Sequence, residues 1–328
     1  MKVITVTEFG SADVLRLEER PRPEPSPNEV LIQVVNTSVN FADIKARLGR
    51  YHGVGQPPFV PGLDVAGIVV KTGARVQHLE VGTPVVAFPQ GESYAEYVVA
   101  SPDLVFSLPS DIDWETAAAL PTVGFTAYKL LHDVGRIEAG ENILIHAAAG
   151  GVGTTAIQLA RILGAQQIFG TVGRDDKKAI AEAAGADYVI NYTKEDFVKE
   201  IQNRTNGQGV DLILDSIGGP ISERSMDILA PFGRLVHFGS ASGEDATIRI
   251  GDLHGSCRAI LGFSLGTARA KRPEVLQSAA QTVLELVKRG QLTMYIGRKY
   301  PLEDAAHAHR WIESRASTGK ILLEVSKA

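Results

Sequence analysis

The sequence predicts an α/β protein in which a doubly wound parallel sheet is carried inside a β-rich domain. Residues 142–161 read as strand, glycine turn and helix. Beyond them strands alternate with helical patterns, and the first hundred residues hold short apolar runs broken by Gly, Pro and Asn.

The run from Asn142 to Ala147 is short and apolar, as a buried parallel strand should be. An A-x-G-x-x-G turn follows, Ala148 to Gly153. Gly150 is expected to take a turn conformation closed to other residues and to let a pyrophosphate approach. Gly153 is expected to let the helix lie close to the strand, and the free N–H groups at the helix start suit an anion. The helix is expected over Val152 to Leu163, with Ala156, Ile157, Leu159 and Ala160 inward and Gly164 at its C-terminal cap. Glycine turns also occur in proteins that bind nothing, but the complete βαβ unit here points to a dinucleotide.

Taken in order, strands are expected at 30–35, 65–70, 85–88 and 94–99. Pro21, Pro23, Pro25 and Pro27 mark an extended surface connection. Helical runs then reach Pro121 and about Asp133. Strands at 142–147, 167–172, 188–190, 210–216 and 234–240 follow, between helical patterns that end at Gly164, Gly185 and near Gly207 and Gly233. A sixth strand is expected around 259–265. The tail offers helices at 272–289 and 302–315 and a strand at 321–325, too little to fold alone, so it should return to the first domain. The expected boundaries are 1–121, 122–266 and 267–328, with the outer two forming one domain.

Composition narrows the function. A chain of 328 residues with net charge −5 and a pI near 5.9 lacks the basic footprint for nucleic acid or an anionic membrane, so small-molecule partners are expected. Cys257 is the only cysteine, which rules out an internal disulfide and a cysteine cluster for structural zinc. With no signal-like N-terminus and no apolar run near the ~18 residues of a membrane helix, a cytoplasmic protein is expected.

The second βα turn reads Gly173-Arg174-Asp175-Asp176-Lys177-Lys178. An acid closing that strand would bond a ribose 2′-hydroxyl, whereas cations suit a 2′-phosphate, so Arg174 with the lysines favours NADP(H) over NAD(H). Read otherwise, these are solvated charges at a helix start. Tyr192, after the third strand, can add its ring or hydroxyl to the adenosine end, and the turns from Asp215 and Phe238 end the fourth and fifth strands on the ligand-binding edge. The eight histidines, His52 among them, show no metal-ligand spacing; His307 and His309 stand two apart on a helix and so point apart. His146 and His237 read as packed or hydrogen-bonded strand residues. No nucleophilic triad stands out, which leaves direct hydride transfer from a reduced nicotinamide without a metal. The most suggestive polar cluster runs from Asn40 to Tyr51. Asn40 can bond a substrate oxygen or the carboxamide, and Tyr51 can donate to a developing oxyanion. A capped short helix with solvated charges is the other reading.

These motifs resemble the zinc-independent quinone oxidoreductases, the zeta-crystallin-like branch of the medium-chain dehydrogenase/reductase superfamily. The resemblance runs essentially end to end. It is carried by Ala147 to Gly153, Gly170 to Gly173 with Lys177, Ile190 to Tyr192, Asp215-Ser216, Val39 to Asp43 with Gly49 and Tyr51, and the tail from Lys299 to Ala305 and on to Arg315. It implies a Rossmann domain inserted in a GroES-like catalytic domain, NADPH as donor, quinones or other α,β-unsaturated carbonyl compounds as acceptors, and dimers or tetramers.

Residue by residue, the resemblance assigns Thr126, Gly150, Gly151, Val152, Gly153, Gly173 and Ser216 to the coenzyme. Lys177, Tyr192 and Arg315 fall at its 2′-phosphate end, with Arg174 added. Phe238, Gly239, Ser240 and Ala241, with Phe263, Ser264 and Leu265, flank the nicotinamide half. Asn40, Lys45 and Tyr51 line the substrate side, although Lys45 stands where some relatives carry a tyrosine. Gly62-Leu63-Asp64 replaces the Gly-His-Glu of the zinc-containing branch. An enoyl-thioester reductase and a non-catalytic NADPH-binding protein are the alternatives.

Overall fold

A computed structural model describes residues 1–51, 55–89 and 91–326; His52 lies outside the described residues. The chain divides into two compact units, Met1–Phe125 with Ala268–Ala328, and Thr126–Thr267.

The inserted unit is the doubly wound sheet. Its six strands are, in chain order, Asn142–Ile145, Gln167–Val172, Tyr188–Asn191, Val210–Asp215, Leu229–His237 and Ala259–Gly262. Across the sheet they run third, second, first, fourth, fifth, sixth, all parallel. Reversal of the strand order between the first and fourth strands creates the edge at which such sheets bind nucleotides. Apolar residues on both faces of the strands explain why each read as a continuous run: Leu144, Phe169, Ile190, Ile213 and Leu235 join Phe197 and Ile201 of the Phe197–Arg204 helix in one core.

Two local expectations change. The first strand stops at Ile145 because Ala147 turns the chain at φ 51°. Gly233 ends no helix: the preceding helix, Pro220–Ser225, closes earlier, and Gly233 lies within the fifth strand, whose register breaks between Leu229 and Arg234.

The flanking unit is β-rich. Its seven-stranded sheet runs Ile296–Pro301, Lys320–Glu324, Val30–Val39, Val65–Thr72, Pro84–Ala87, Val105–Ser107, with Tyr97–Ala100 also paired to the long Val30–Val39 strand. The closing strand lies antiparallel on Val30–Val39, with Ile321 opposite Val39 and Leu323 opposite Thr37, so the tail does return to the first domain. Both long tail helices begin later than expected. A 3₁₀ turn at Pro273–Leu276 precedes Gln277–Lys288, and another at Leu302–Asp304 precedes Ala305–Glu313. Ile296–Pro301 was not foreseen, since its half-exposed sequence, with Arg298 and Lys299, lacks an apolar face. Among the described residues no helix is long and apolar enough to cross a membrane.

Candidate functional site

The candidate nucleotide site lies in the inserted unit, at the carboxyl ends of its strands. The tight turn after the first strand is taken by Ala147, while Gly150 holds an ordinary extended conformation at φ −81° and ψ 174°. The expected turn role of Gly150 therefore belongs to Ala147, and Gly150 supplies room. Gly153 has the role expected of it, because a Cβ there would stand 2.5 Å from the carbonyl oxygens of both Ala147 and Ala148. The Gly151–Ile162 helix can thus lie against the turn. With glycine at its N-cap no side chain occupies its first N–H groups, and the hydroxyls of Thr154 and Thr155 turn back onto the carbonyls of Gly150 and Gly151, 3.0 and 2.8 Å away. An anion-ready helix start results.

Beside it, the second strand ends at Val172, and at Gly173, which follows, a Cβ would meet the Tyr192 hydroxyl at 3.1 Å. Tyr192 is fixed by its own N–H, which donates to the Val172 carbonyl at 3.1 Å. The charges that follow are largely matched inside the chain. Arg174 donates to both carboxylate oxygens of Asp176 at 3.0 and 2.9 Å, and Lys178 pairs with Glu195 at 2.6 Å. Asp175 accepts from Asn191 Nδ2 at 2.7 Å and from Lys194. Burial lowers the pKa of half-buried Lys177. Neither acid is thus left for a ribose hydroxyl.

At the fourth strand, Asp215 builds the turn. Burial opposes its charge, but hydrogen bonds, led by His237 and joined by Ser222 and the Ile217 N–H, hold its carboxyl down at about 2. The loops beyond are tied to one another: Phe238 N–H to the Asp215 carbonyl at 2.9 Å, Ala241 N–H to that of Ser216 at 2.9 Å, and Phe263 N–H to that of His237 at 3.0 Å. Ser216, Phe238, Gly239, Ser240, Ala241 and Phe263 come together as one half-buried ledge, which Ser264 and Leu265 continue into the helix Leu265–Lys271. A Cβ on Gly239 would stand 3.3 Å from the Ser216 carbonyl oxygen. Thr126 is buried on its helix. His146 is a hydrogen-bonded neighbour, as expected. Ser225 gives its proton to the Ile221 carbonyl, so His146 Nε2–H donates to Ser225 at 2.9 Å and Nδ1 accepts from Thr171 at 2.8 Å. Burial pushes it down to about 4.

A second polar cluster lies in the flanking unit. Asn40 is the N-cap of the helix Phe41–Arg47: its backbone carbonyl accepts from the Asp43 N–H at 3.0 Å and its own N–H donates to the Asp43 carboxylate at 2.8 Å. Its carboxamide is already committed: Nδ2 faces Ser38 Oγ and Asp64 Oδ1, each at 3.3 Å, and Oδ1 accepts from Lys320 at 2.7 Å. The helix charges are not solvated. Asp43 and Arg47 are buried one turn apart on its inner face. Asp43 takes the Asn40 N–H at 2.8 Å and the Tyr94 hydroxyl at 3.3 Å. Burial, with the like charge of Asp64, pushes it up to about 7 against the Asn40 hydrogen bond. Arg47 forks onto Glu313 of the tail. Burial raises the Tyr51 hydroxyl above its ordinary range, against the pull of Arg269, and so keeps it protonated. Lys45 is half-buried on the same helix.

Sequence reasoning gave no role to Arg47, Tyr94, His309 or Lys320, which are all buried here. Their signal was present in part: an Asp and an Arg four apart, and a lysine opening an otherwise apolar strand. Arg315 is exposed just past the Ala305–Glu313 helix at φ 58°, a conformation uncommon for a non-glycine residue. Among the described residues no three His, Cys, Asp or Glu side chains gather to hold a metal.

A β-rich unit completed by its own tail, with a dinucleotide-type sheet inserted between, is the architecture of the medium-chain dehydrogenases and reductases. Residues 26–110 match the family of alcohol dehydrogenase GroES-like domains, and residues 151–283 match the family described as zinc-binding dehydrogenase. Quinone oxidoreductase 1 of Escherichia coli is 37% identical over 96% of this chain and 97% of its own. The crystal structure of Escherichia coli quinone oxidoreductase complexed with NADPH superimposes with a TM-score of 0.93 and 35% identity, covering 99% of this chain and all of that one. A mycocerosic acid synthase-like polyketide synthase of Mycobacterium tuberculosis is 32% identical over 97% of this chain, which matches 15% of that longer protein. The chain belongs to the quinone oxidoreductase branch of the medium-chain dehydrogenase/reductase superfamily and is an oxidoreductase.

Proposed function

We propose that the protein reduces quinones or other α,β-unsaturated carbonyl compounds with NADPH and without a metal ion. The observation that carries this reading is the second βα turn, where Asp175 and Asp176 are already partnered, Lys177 follows in sequence, and Gly173 stands against Tyr192. Gly150 to Gly153 and the N–H groups that follow would take the pyrophosphate; Arg174, Lys177, Tyr192 and Arg315 would take the 2′-phosphate. Thr126, Ser216, Phe238 to Ala241 and Phe263 to Leu265 would flank the nicotinamide, whose chemistry is the donation of a hydride. Hydride arrival at an enone or quinone places negative charge on the carbonyl oxygen. Tyr51, held protonated, would donate a hydrogen bond or proton there, with Lys45 alongside. Asn40 would shape this side through its cap rather than through its committed amide. Metal independence is supported by the lack of a ligand cluster among the described residues.

Titration with NADPH and NADH, followed by a quinone and enone panel, tests the reading. NADPH should bind more tightly, and Lys177→Ala should cost it about 1.5–3 kcal/mol with NADH hardly changed. Equal affinity for both coenzymes, or no acceptor reduced, would sink it. Enoyl-thioester reduction is the second reading, favoured by the likeness to a polyketide synthase; turnover of an acyl-CoA ahead of quinones would select it. We also infer a homodimer, on the support of the edge strand Ala259–Gly262 with Phe232 and Ile250 exposed in the same unit; sedimentation at low concentration checks it.

A further inference from the structure

The polar cluster of the flanking unit rests on a chain of buried side chains whose proton order follows from their chemistry. Arg47 has only N–H donors, so its Nη1, 3.5 Å from His309 Nδ1, faces a bare ring nitrogen. His309 is therefore the neutral Nε2–H tautomer, and it donates to the Tyr94 oxygen at 3.1 Å. Tyr94, having accepted, sends its own hydrogen to Asp43 Oδ2 at 3.3 Å, the same oxygen that takes the Asn40 N–H at 2.8 Å. Burial and the neighbouring Arg47 push His309 down to about 3, in agreement with the neutral ring. The Tyr94 and His309 rings meet edge to face at 5.8 Å.

The chain leaves the Phe41–Arg47 helix at Arg47, crosses the tail helix at His309 and returns through Tyr94 to Asp43 beside the N-cap of that same helix, which bears Lys45 and leads into Tyr51. A packing role alone would be met by apolar side chains of the same size, whereas each link from Arg47 Nη1 through His309 and Tyr94 to Asp43 is directional. We propose that His309 and Tyr94 are positioning residues for acceptor reduction: through them the tail helix seats the Asn40-capped helix and so places Lys45 and Tyr51. This rests on the acceptor role given to Tyr51 above.

Three variants test it. His309→Gln keeps an acceptor for Arg47 and a donor for Tyr94; His309→Leu keeps bulk and removes both; Tyr94→Phe removes one hydroxyl in a milder change. Hydrogen exchange, NADPH titration, and kcat and KM for a quinone or enone are measured on each. In His309→Leu and Tyr94→Phe, exchange over residues 41–47 should quicken at least tenfold, with residues 151–162 as in the wild type. Acceptor kcat/KM should fall at least tenfold, chiefly through kcat, with the NADPH Kd within twofold. His309→Gln should bring exchange and turnover back to within about threefold of the wild type. Unchanged exchange over 41–47 in both His309→Leu and Tyr94→Phe overturns the proposal whether or not an acceptor is found, as does a glutamine variant no better than the leucine one. A wild type that reduces no acceptor counts against the functional reading alone, because the exchange measurement stands apart from turnover.

Discussion

Beside the second strand of the inserted unit, Arg174 and Asp176 pair with side chains 54% and 59% exposed, and Lys194 meets Asp175 in the same wet surroundings. In the flanking unit, Asp43, Arg47 and Lys320 have relative exposures of 1%, 0% and 3%. One region keeps its charges in water on a backbone framework of glycines; the other buries them in a network spread over the length of the chain. Exposed pairs contribute roughly 0–1 kcal/mol each, whereas a buried charge stripped of its partner costs about 3–5 kcal/mol. The first region can therefore change its charges to suit a ligand, while the second is fixed by the stability of its unit.

The largest expected effect breaks the buried side. Lys320→Met removes the cation beside Asp43 and Asp64 and the donor to Asn40, and should cost about 3–5 kcal/mol in urea unfolding of the intact chain. A loss below about 1 kcal/mol would mean that the acids there do not depend on it. On the other side the backbone is the vulnerable part. Gly153→Ala drives a methyl group onto two carbonyl oxygens and should cost about 1–3 kcal/mol and abolish NADPH binding. Retained binding at wild-type stability would show that helix and turn can separate freely.

Arg315→Gly sharpens the comparison, because it relaxes a left-handed residue while deleting a proposed phosphate ligand. Stability should rise by about 1 kcal/mol as NADPH affinity drops, read by melting and titration on the same sample. If both fall together, the backbone there is held by something other than the coenzyme.

The smallest effect is a difference in pH dependence. His146, at about 4 against an ordinary 6.5, keeps its stabilising neutral form above pH 6.5, and the inserted unit should lose about 1.4 kcal/mol per pH unit as pH falls from 6 to 4.5. In the flanking unit His309, at about 3, acts in the same direction. Asp43 opposes it: raised from 3.8 to about 7, its contribution is present in acid and lost as pH climbs through that window. The two should nearly cancel. Asp43→Asn should make the flanking unit as acid-sensitive as the inserted one, measured by hydrogen exchange corrected for intrinsic rates; a variant with the same pH dependence as the wild type would show that Asp43 does not titrate there.

The same contrast explains what was legible beforehand. The parallel sheet announced itself because its signals are local: apolar runs of strand length, and glycines such as Gly164 and Gly185 that end helices at φ 92° and 108°. Gly233 misled because a glycine inside a bent strand resembles one after a helix. Gly150 and Ala147 exchanged roles because a turn needs one residue at positive φ and composition does not say which. The buried polar cluster of the flanking unit was half readable. Its capped helix and Tyr51 stand in a dozen residues, but Asp64, Tyr94, His309 and Lys320 meet them from as much as 280 positions away. From the sequence His309 offers itself only as a candidate metal ligand, since nothing near it in sequence shows Arg47 on one nitrogen and Tyr94 on the other.

That the strand Lys320–Glu324 pairs with Val30–Val39 also bears on biosynthesis. A ribosome releases every residue of the inserted unit before it has polymerised the segment that the first unit requires, so maturation proceeds from the middle outward. Until the final strand emerges, the nascent N-terminal half leaves a sheet edge open and Asn40 without its lysine, which makes it the stretch for a chaperone to guard and for a protease to find.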